Sequence, residues 1–392
     1  MITKKAGEYF MDLDYDVIIV GAGTMGMAAG YYLAKQQVNT LLIDAFDPPH
    51  SQGSHTGDTR IIRFAYGEGR EYVPLALRSK ELWDELQQET NEPLFLQTGV
   101  LGFGPKGTAF ILEAIESARE HQLPIEVLDA TEINKRWQGI TVPEDFFGCY
   151  EPTSGVLFSE HCLRTLRQGA LNHGATLQTN TPVLNIKAFS DHVVVETHAG
   201  TYKAQKLILS AGAWSGKFLA QLGVHVDLQP TRQTFGFFEV DETLYGSDHF
   251  PIFLTQTSNG TYYGFPSIHG SGLKAGRHDI GQSLSPDAEV GAYGIYTEDE
   301  QDTRAFLDQF MPQASGKLIK GTTCFYTRTP DEHFIIDLHP EYEHIAIATG
   351  FSGHGFKFAT GVGEILTELI LHGKAKQDLS IFSINRDALK IK

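Results

Sequence analysis

Cysteine is scarce in this sequence: Cys149, Cys162 and Cys324 are the only three in 392 residues. They are odd in number, far apart and outside any C-x-x-C, so no disulfide framework or thiol-redox pair is on offer. A reducing, cytoplasmic setting is the expectation. Apolar runs of membrane-span length are missing, and Met1 to Gly7 lacks the apolar core of a signal peptide. Residues 1–14 read as a leader, with Met11 as an alternative start. Positive charge is also short, 31 Lys and Arg against 48 Asp and Glu, for a formal net charge of -17. That balance argues against nucleic acid or an anionic membrane as a partner. An anionic ligand must then be held by a local cluster of cations that overrides the global field. The 16 histidines fall into no H-E-x-x-H or other ligand spacing, so no metal is expected. Neither G-x-S-x-G nor a Walker pattern occurs, and there is no internal repeat or low-complexity segment.

What is present begins at Asp16-Val17-Ile18-Ile19-Val20-Gly21-Ala22-Gly23-Thr24-Met25-Gly26. An apolar run of strand length leads directly into G-x-G-x-x-G, and Met27 to Lys35 follows as a helix. Gly21 permits the tight turn, Gly23 lets the backbone approach a pyrophosphate, and Gly26 allows close helix–strand packing. The helix N-terminus offers unpaired N–H groups to phosphates. A second apolar run, Thr40 to Ile43, ends at Asp44, where a carboxylate binds ribose hydroxyls. The acid favours an unphosphorylated ribose, so FAD or NAD ahead of NADP.

Further along, helices are expected at Leu75–Glu89, Thr108–His121, Glu132–Trp137, Glu160–Asn172, Thr297–Phe310 and Gly361–Leu371. Leu94–Phe103 reads as one strand and Gly148–Phe158 as extended. Val183–Ile186 and His192–Glu196 form an antiparallel meander, and Lys206 to Trp214 is a buried strand running into a glycine turn. Residues 226–290 alternate aromatics with turn residues, the pattern of a mixed or antiparallel sheet. The fold class is therefore α/β, a Rossmann-like dinucleotide domain with an interleaved mixed-sheet domain for substrate. The expected division gives 15–90, 150–222 and 320–392 to the first and 91–149 and 223–319 to the second. By fold-level analogy, such interleaving suits FAD oxidoreductases better than NAD dehydrogenases.

Three further constellations carry chemistry. In Ser54 to Arg63, Arg60 and Arg63 are one helical turn apart, and arginine suits fork-like recognition of a carboxylate or phosphate. The alternative is a surface pair, one member bound to Asp58. Ala348 to Lys357 is a strand, a glycine-rich turn and a helix start, whose N–H groups suit a ligand atom that becomes negative, such as the N1/C2=O region of a flavin. Lys357 falls in a first helical turn, where the dipole disfavours it, which suggests service to a ligand. Lys274, among small residues, is by pattern a hairpin-edge lysine. Cys324 is by pattern a buried small hydrophobe.

Taken together, the blocks GAGTMGMAAGYYLAK, GDTRIIR, YGEG, YYGFP, CFYTRTPDEHFIIDLHP and GFSGHGFK resemble the flavin amine oxidase family that includes monomeric sarcosine oxidase and N-methyltryptophan oxidase. The likeness runs from about Tyr15 to the C-terminus. It implies FAD joined through its 8α carbon to a cysteine thioether at Cys324, reversing the bland view of that residue. It likewise implies that Arg63 and Lys357 bind the substrate carboxylate and that Lys274 activates oxygen near flavin N5. Arg60 would lie beside the ring, with Tyr263, His278 and Tyr326 lining the substrate cavity. Thr59, Gly353 and Gly355 would join Gly21, Gly23, Gly26 and Asp44 in holding the cofactor. The implied activity is oxidation of an N-methyl amino acid such as sarcosine by a monomer, with water and oxygen, to glycine, formaldehyde and hydrogen peroxide. The alternatives are an N-methyltryptophan or cyclic imino-acid oxidase, an NAD-dependent dehydrogenase, or a noncatalytic flavin-binding protein. One departure stands out: a second histidine is common in the family after the position of His55, and this chain has Thr56.

Overall fold

The computed structural model describes residues 13–285 and 290–390. All but the last two residues of the expected leader lie outside the described residues. The first strand, Tyr15–Val20, has its last four residues buried, as a strand covered on both faces of a parallel sheet requires. Parallel neighbours Thr40–Ile43 and Gly200–Leu209 flank it, with Thr176–Gln178 and Ile345–Thr349 beyond them. The meander of Val183–Ala188 and Val193–Thr197 joins Gly200–Leu209 in antiparallel fashion, and Ile335–Leu338 pairs with Ile345–Thr349.

Alternation along these strands builds two cores. Val17 and Ile19 face a cluster that includes Leu33, Leu75, Leu163, Val362 and Leu366 from the helices Thr24–Lys35, Val73–Thr90, Ser159–Asn172 and Ala359–His372. Ile18 and Val20 face the other way, against Val193, Val195 and Leu219.

The second large sheet runs in the order Gln282–Ser283, Gln229–Phe238, Leu273–Arg277, Gly260–Phe265, Ile252–Thr257, Val100–Pro105, Phe146–Glu151, Glu126–Asp129. Its pairings are antiparallel except that of Ile252–Thr257 with Val100–Pro105, so the sheet is mixed. One face of it packs Phe253 and Tyr262 against Phe306 of the helix Glu298–Phe310, whose Phe310 joins the same cluster. Among the described residues no helix is long and apolar enough to cross a membrane.

Several expectations need correcting. Leu94–Phe103 is not one strand. Gly99, at φ 72°, turns the chain between Phe95–Gln97 and Val100–Pro105. The former joins Gly155–Phe158 and Thr59–Ile62 in a three-stranded sheet, while the latter enters the mixed sheet. Residues 320–328, grouped above with the dinucleotide domain, belong to the strand Leu318–Arg328, which pairs with Gln229–Phe238 at the edge of the mixed sheet. Arg60 and Arg63 are not on a helical turn, because Thr59–Ile62 is extended.

Candidate active site

A cavity of about 500 Å³ opens between the two large sheets. At one end stands the first turn of the chain. Gly21 has φ 93°, and a Cβ there would come within 2.5 Å of the Ser210 carbonyl oxygen. A Cβ on Gly26 would lie 2.0 Å from the oxygen of Gly21, so the helix could not approach the strand. Gly23 is different: its Cβ direction is open, and no side chain caps the helix that starts after it. Asp44 is buried and fixes this turn by accepting from Ala22 N at 2.8 Å and Phe46 N at 2.9 Å. In the lining Thr327 Oγ1 is buried without a hydrogen-bond partner, whereas His50 Nε2 lies 3.4 Å from Asp44 Oδ1. Open space over a glycine, an uncapped helix start and an unpartnered hydroxyl together fit a dinucleotide.

Midway, Cys324 faces the cavity from the edge strand, in register with Gln233 and clustered with Phe235, Phe237 and Tyr326. Burial pushes its thiol pKa up, while Arg60 and Lys274 pull it down. Lys274 is fully enclosed. Its Nζ donates to both the carbonyl and the hydroxyl of Thr59 at 3.1 Å and lies 4.3 Å from the Phe235 ring and 4.6 Å from Phe265. Burial first, then Arg60, lowers its pKa well below the ordinary value. Its strand is paired on both sides, which corrects the hairpin-edge assignment made from pattern. Arg60 does not bind Asp58; its guanidinium donates to the carbonyls of Ser54, Thr56 and Thr59. Thr56 also turns its hydroxyl to the Gly53 carbonyl, at 2.7 Å.

Part of the lining is cationic. Arg63 is buried, and its Nη2 donates to both Glu68 oxygens at 2.5 Å. Burial alone would raise the Glu68 pKa, but Arg63, His354 and Lys357 hold it at about 2. Lys357 Nζ donates to the His354 carbonyl at 2.7 Å and to the Tyr66 hydroxyl at 3.3 Å. Burial and the neighbouring Arg63 bring it down to about 7, against the pull of Glu68. The turn that delivers Lys357 is left-handed at Gly350, Ser352 and Gly353. A Cβ on Gly353 would meet the Tyr326 ring at 2.2 Å. His278 Nδ1 lies 3.3 Å from the Tyr326 hydroxyl, and burial, then Arg328, lowers the imidazole to about 4, so it is neutral. Tyr263 completes this side of the lining.

A family model described as FAD dependent oxidoreductase matches residues 16–369 of this chain. The protein belongs to that family. It is 58% identical over 382 residues to monomeric sarcosine oxidase from Bacillus sp. (strain B-0618), covering 97% of this chain and 98% of the relative. With N-methyl-L-tryptophan oxidase from Yersinia pestis (strain Pestoides F) it shares 40% over 375 residues, 95% of this chain and 100% of the relative. Its fold is similar to that of L-proline dehydrogenase from P. horikoshii, with a TM-score of 0.84, 21% identity and coverage of 95% and 98% of the two chains.

Within this FAD-dependent oxidoreductase, one cavity brings together Gly21, Gly23, Asp44, Thr59, Arg60, Arg63, Tyr263, Lys274, His278, Cys324, Tyr326, Gly353, Gly355 and Lys357. Gly26 stands behind the lining, as its packing task requires. Sequence reasoning missed Glu68, Tyr66 and His354. The only available signal for Glu68 was an acid between two glycines shortly after Arg63; nothing local pairs Tyr66 with His354.

Proposed function

We propose that the protein is an FAD-dependent sarcosine oxidase, acting as a monomer on sarcosine, oxygen and water to give glycine, formaldehyde and hydrogen peroxide. The observation that carries this reading is the buried pair of cations, Arg63 and Lys357, in the lining of the cavity that also holds the dinucleotide turn. Arg63 already holds a carboxylate, that of Glu68, which displays the chemistry the place accepts. Near-complete coverage at 58% identity to a monomeric sarcosine oxidase supports the choice of substrate and the monomer.

FAD, when bound, would supply the acceptor for the two electrons lost as a C–H bond of the N-methyl group is broken and the C–N bond becomes an imine, electrons that oxygen takes up in forming hydrogen peroxide. The chain does the rest. Gly21, Gly23, Asp44, Thr59, Gly353 and Gly355 would hold FAD, with Gly26 packing behind the turn, and Cys324 would provide the thioether to the 8α carbon. Arg63 and Lys357 clamp the carboxylate and so orient the methylamine. Arg60 and Lys274 make the surroundings positive, which disfavours an ammonium and leaves the amine nitrogen with its lone pair. Neutral His278 with Tyr326 and Tyr263 forms the wall beside the amine. Lys274 is the cation that meets oxygen. In domain terms, the eight-stranded sheet serves the dinucleotide and delivers Lys357, the three-stranded sheet delivers Arg63, and the mixed sheet supplies Tyr263, Lys274, Cys324 and Tyr326.

The test is peroxide release on a panel of sarcosine, N-methyltryptophan and proline. Sarcosine should give the highest kcat/KM. Preference for N-methyltryptophan would move the assignment to the relative with the bulkier substrate. Arg63→Met and Lys357→Met should each weaken sarcosine and simple carboxylate inhibitors by about 2–5 kcal/mol, the cost of breaking a desolvated charge pair. Unchanged inhibitor affinity in both would remove the clamp from the reading.

A further inference from the structure

Arg63 and Lys357 are like charges buried side by side, and one side chain touches both. Tyr66 is fully buried. Its ring lies 4.2 Å from the Arg63 guanidinium, and its hydroxyl accepts from Lys357 Nζ at 3.3 Å. The negative face of an aromatic ring attracts a cation, most strongly where water is excluded. It thereby offsets part of the repulsion between the two charges.

The hydroxyl is itself aimed. Its oxygen lies 2.7 Å from His354 Nδ1. His354 Nε2 faces the Glu332 carbonyl at 3.2 Å, and a carbonyl only accepts. Nε2 therefore carries the ring proton, Nδ1 takes the Tyr66 proton, and a lone pair of the phenol is left for Lys357. Lys357 has three N–H donors, of which the His354 carbonyl and Tyr66 take two. One remains for a ligand. Tyr66 has no slack in which to drift. Its ring stacks on Tyr72 at 5.0 Å and meets Phe358 edge-on at 5.4 Å, and its main-chain N–H donates to Ser117 Oγ at 2.8 Å.

We propose that Tyr66 is the positioning residue of the carboxylate clamp: its ring seats Arg63, its hydroxyl, oriented by His354, aims Lys357, and the two cations thereby converge on one carboxylate. Tyr66 does not line the cavity, so it acts through the cations and not on the substrate. The proposal rests on the assignment of Arg63 and Lys357 to the substrate carboxylate.

Tyr66→Phe keeps the ring and removes the aim. In the holoenzyme, KM for sarcosine and Kd for an amine-free carboxylate inhibitor should rise about tenfold, the size of one hydrogen bond to a charged group. The kcat should hold, because binding common to ground and transition states is what is lost. The primary amide of sarcosine, which lacks the carboxylate, should bind as before. His354→Phe removes the acceptor that orients the phenol and should shift the same two constants in the same direction. This second variant decides the matter if Tyr66→Phe does not fold. Unchanged carboxylate affinity, or an equal loss for the amide, would overturn the proposal and leave Tyr66 as ordinary core. Arg63→Met and Lys357→Met, measured alongside, separate the failures. If they weaken the inhibitor and Tyr66→Phe does not, the positioning role falls alone; if neither weakens it, the clamp falls too.

Discussion

Lys357 and Lys274 are both buried, yet their surroundings give them different work. Lys357 lies beside Arg63 and within the field of Glu68, and it sits at about 7. Carboxylate binding requires its charged form, so inhibitor affinity should be full below that value and fall as pH rises through it. An inhibitor Kd that is flat from acid to alkaline pH would contradict this. Lys274 has hydroxyl and carbonyl partners at Thr59 and aromatic rings around its head. Burial lowers its pKa, and the role proposed for it requires the protonated form: charge developing on oxygen in such a dry place is stabilised by a cation held there. Lys274→Met should therefore slow reoxidation by oxygen far more than reduction by sarcosine, and Lys274→Arg should recover part of the loss. Stopped-flow traces of the two half-reactions tell them apart. Cys324 gives the simplest test: acid-precipitated protein should stay yellow, and the Cys324→Ala protein should release its flavin to the supernatant.

At the level of elements, the turn between Ile345–Thr349 and Ala359–His372 has the least freedom. Gly353, at φ 85° with the Tyr326 ring against its Cβ direction, admits no side chain. Gly353→Ala should lower flavin content and cost about 1–2 kcal/mol from the left-handed backbone alone, before the Tyr326 clash is counted. Flavin content and Tm would show it; a fully loaded, equally stable variant would mean the turn tolerates what its geometry forbids. The glycine-rich first turn and Asp44 were legible in the sequence because a strand, a tight turn, a helix and an acid are local events with their own residue chemistry. The course of Leu94–Phe103 was not. Apolar alternation marks a strand without saying which sheet receives it, and the transfer at Gly99 depends on distant partners. Lys274 was misplaced by pattern for the same reason. Whether a strand is an edge is decided by Gln229–Phe238 and Gly260–Phe265, not by its own neighbours. The ion pair of Arg63 with Glu68 was in reach of the sequence, but only spatial proximity reveals that the acid occupies the cation.

Across the whole molecule, a net charge of -17 surrounds the proposed carboxylate site. Long-range repulsion reaches an approaching anion, whereas sarcosine, as a zwitterion, carries no net charge. Salt screens charges beyond about 8–10 Å but hardly touches buried ones. Association of an anionic inhibitor should accelerate as salt is raised, that of sarcosine should change little, and dissociation of either should be nearly constant. Rapid-mixing rates at several salt concentrations would decide, and a salt-insensitive inhibitor on-rate would show that the surface field does not reach the cavity mouth.

Cys324 sits on an edge strand of the mixed sheet, while the glycine turn that lines the same cavity belongs to the eight-stranded sheet. With the proposed thioether, a cofactor tied to the first and nested in the second would be, in effect, a cross-link whose far end is reversible. Ligands that bind only the native state normally stabilise it in proportion to the logarithm of their concentration. A tethered one brings its own concentration with it, however far the protein is diluted. The melting temperature of the unmutated enzyme should thus ignore added FAD, whereas that of Cys324→Ala should climb with it, turning a thermal scan into a gauge of whether the bond has formed.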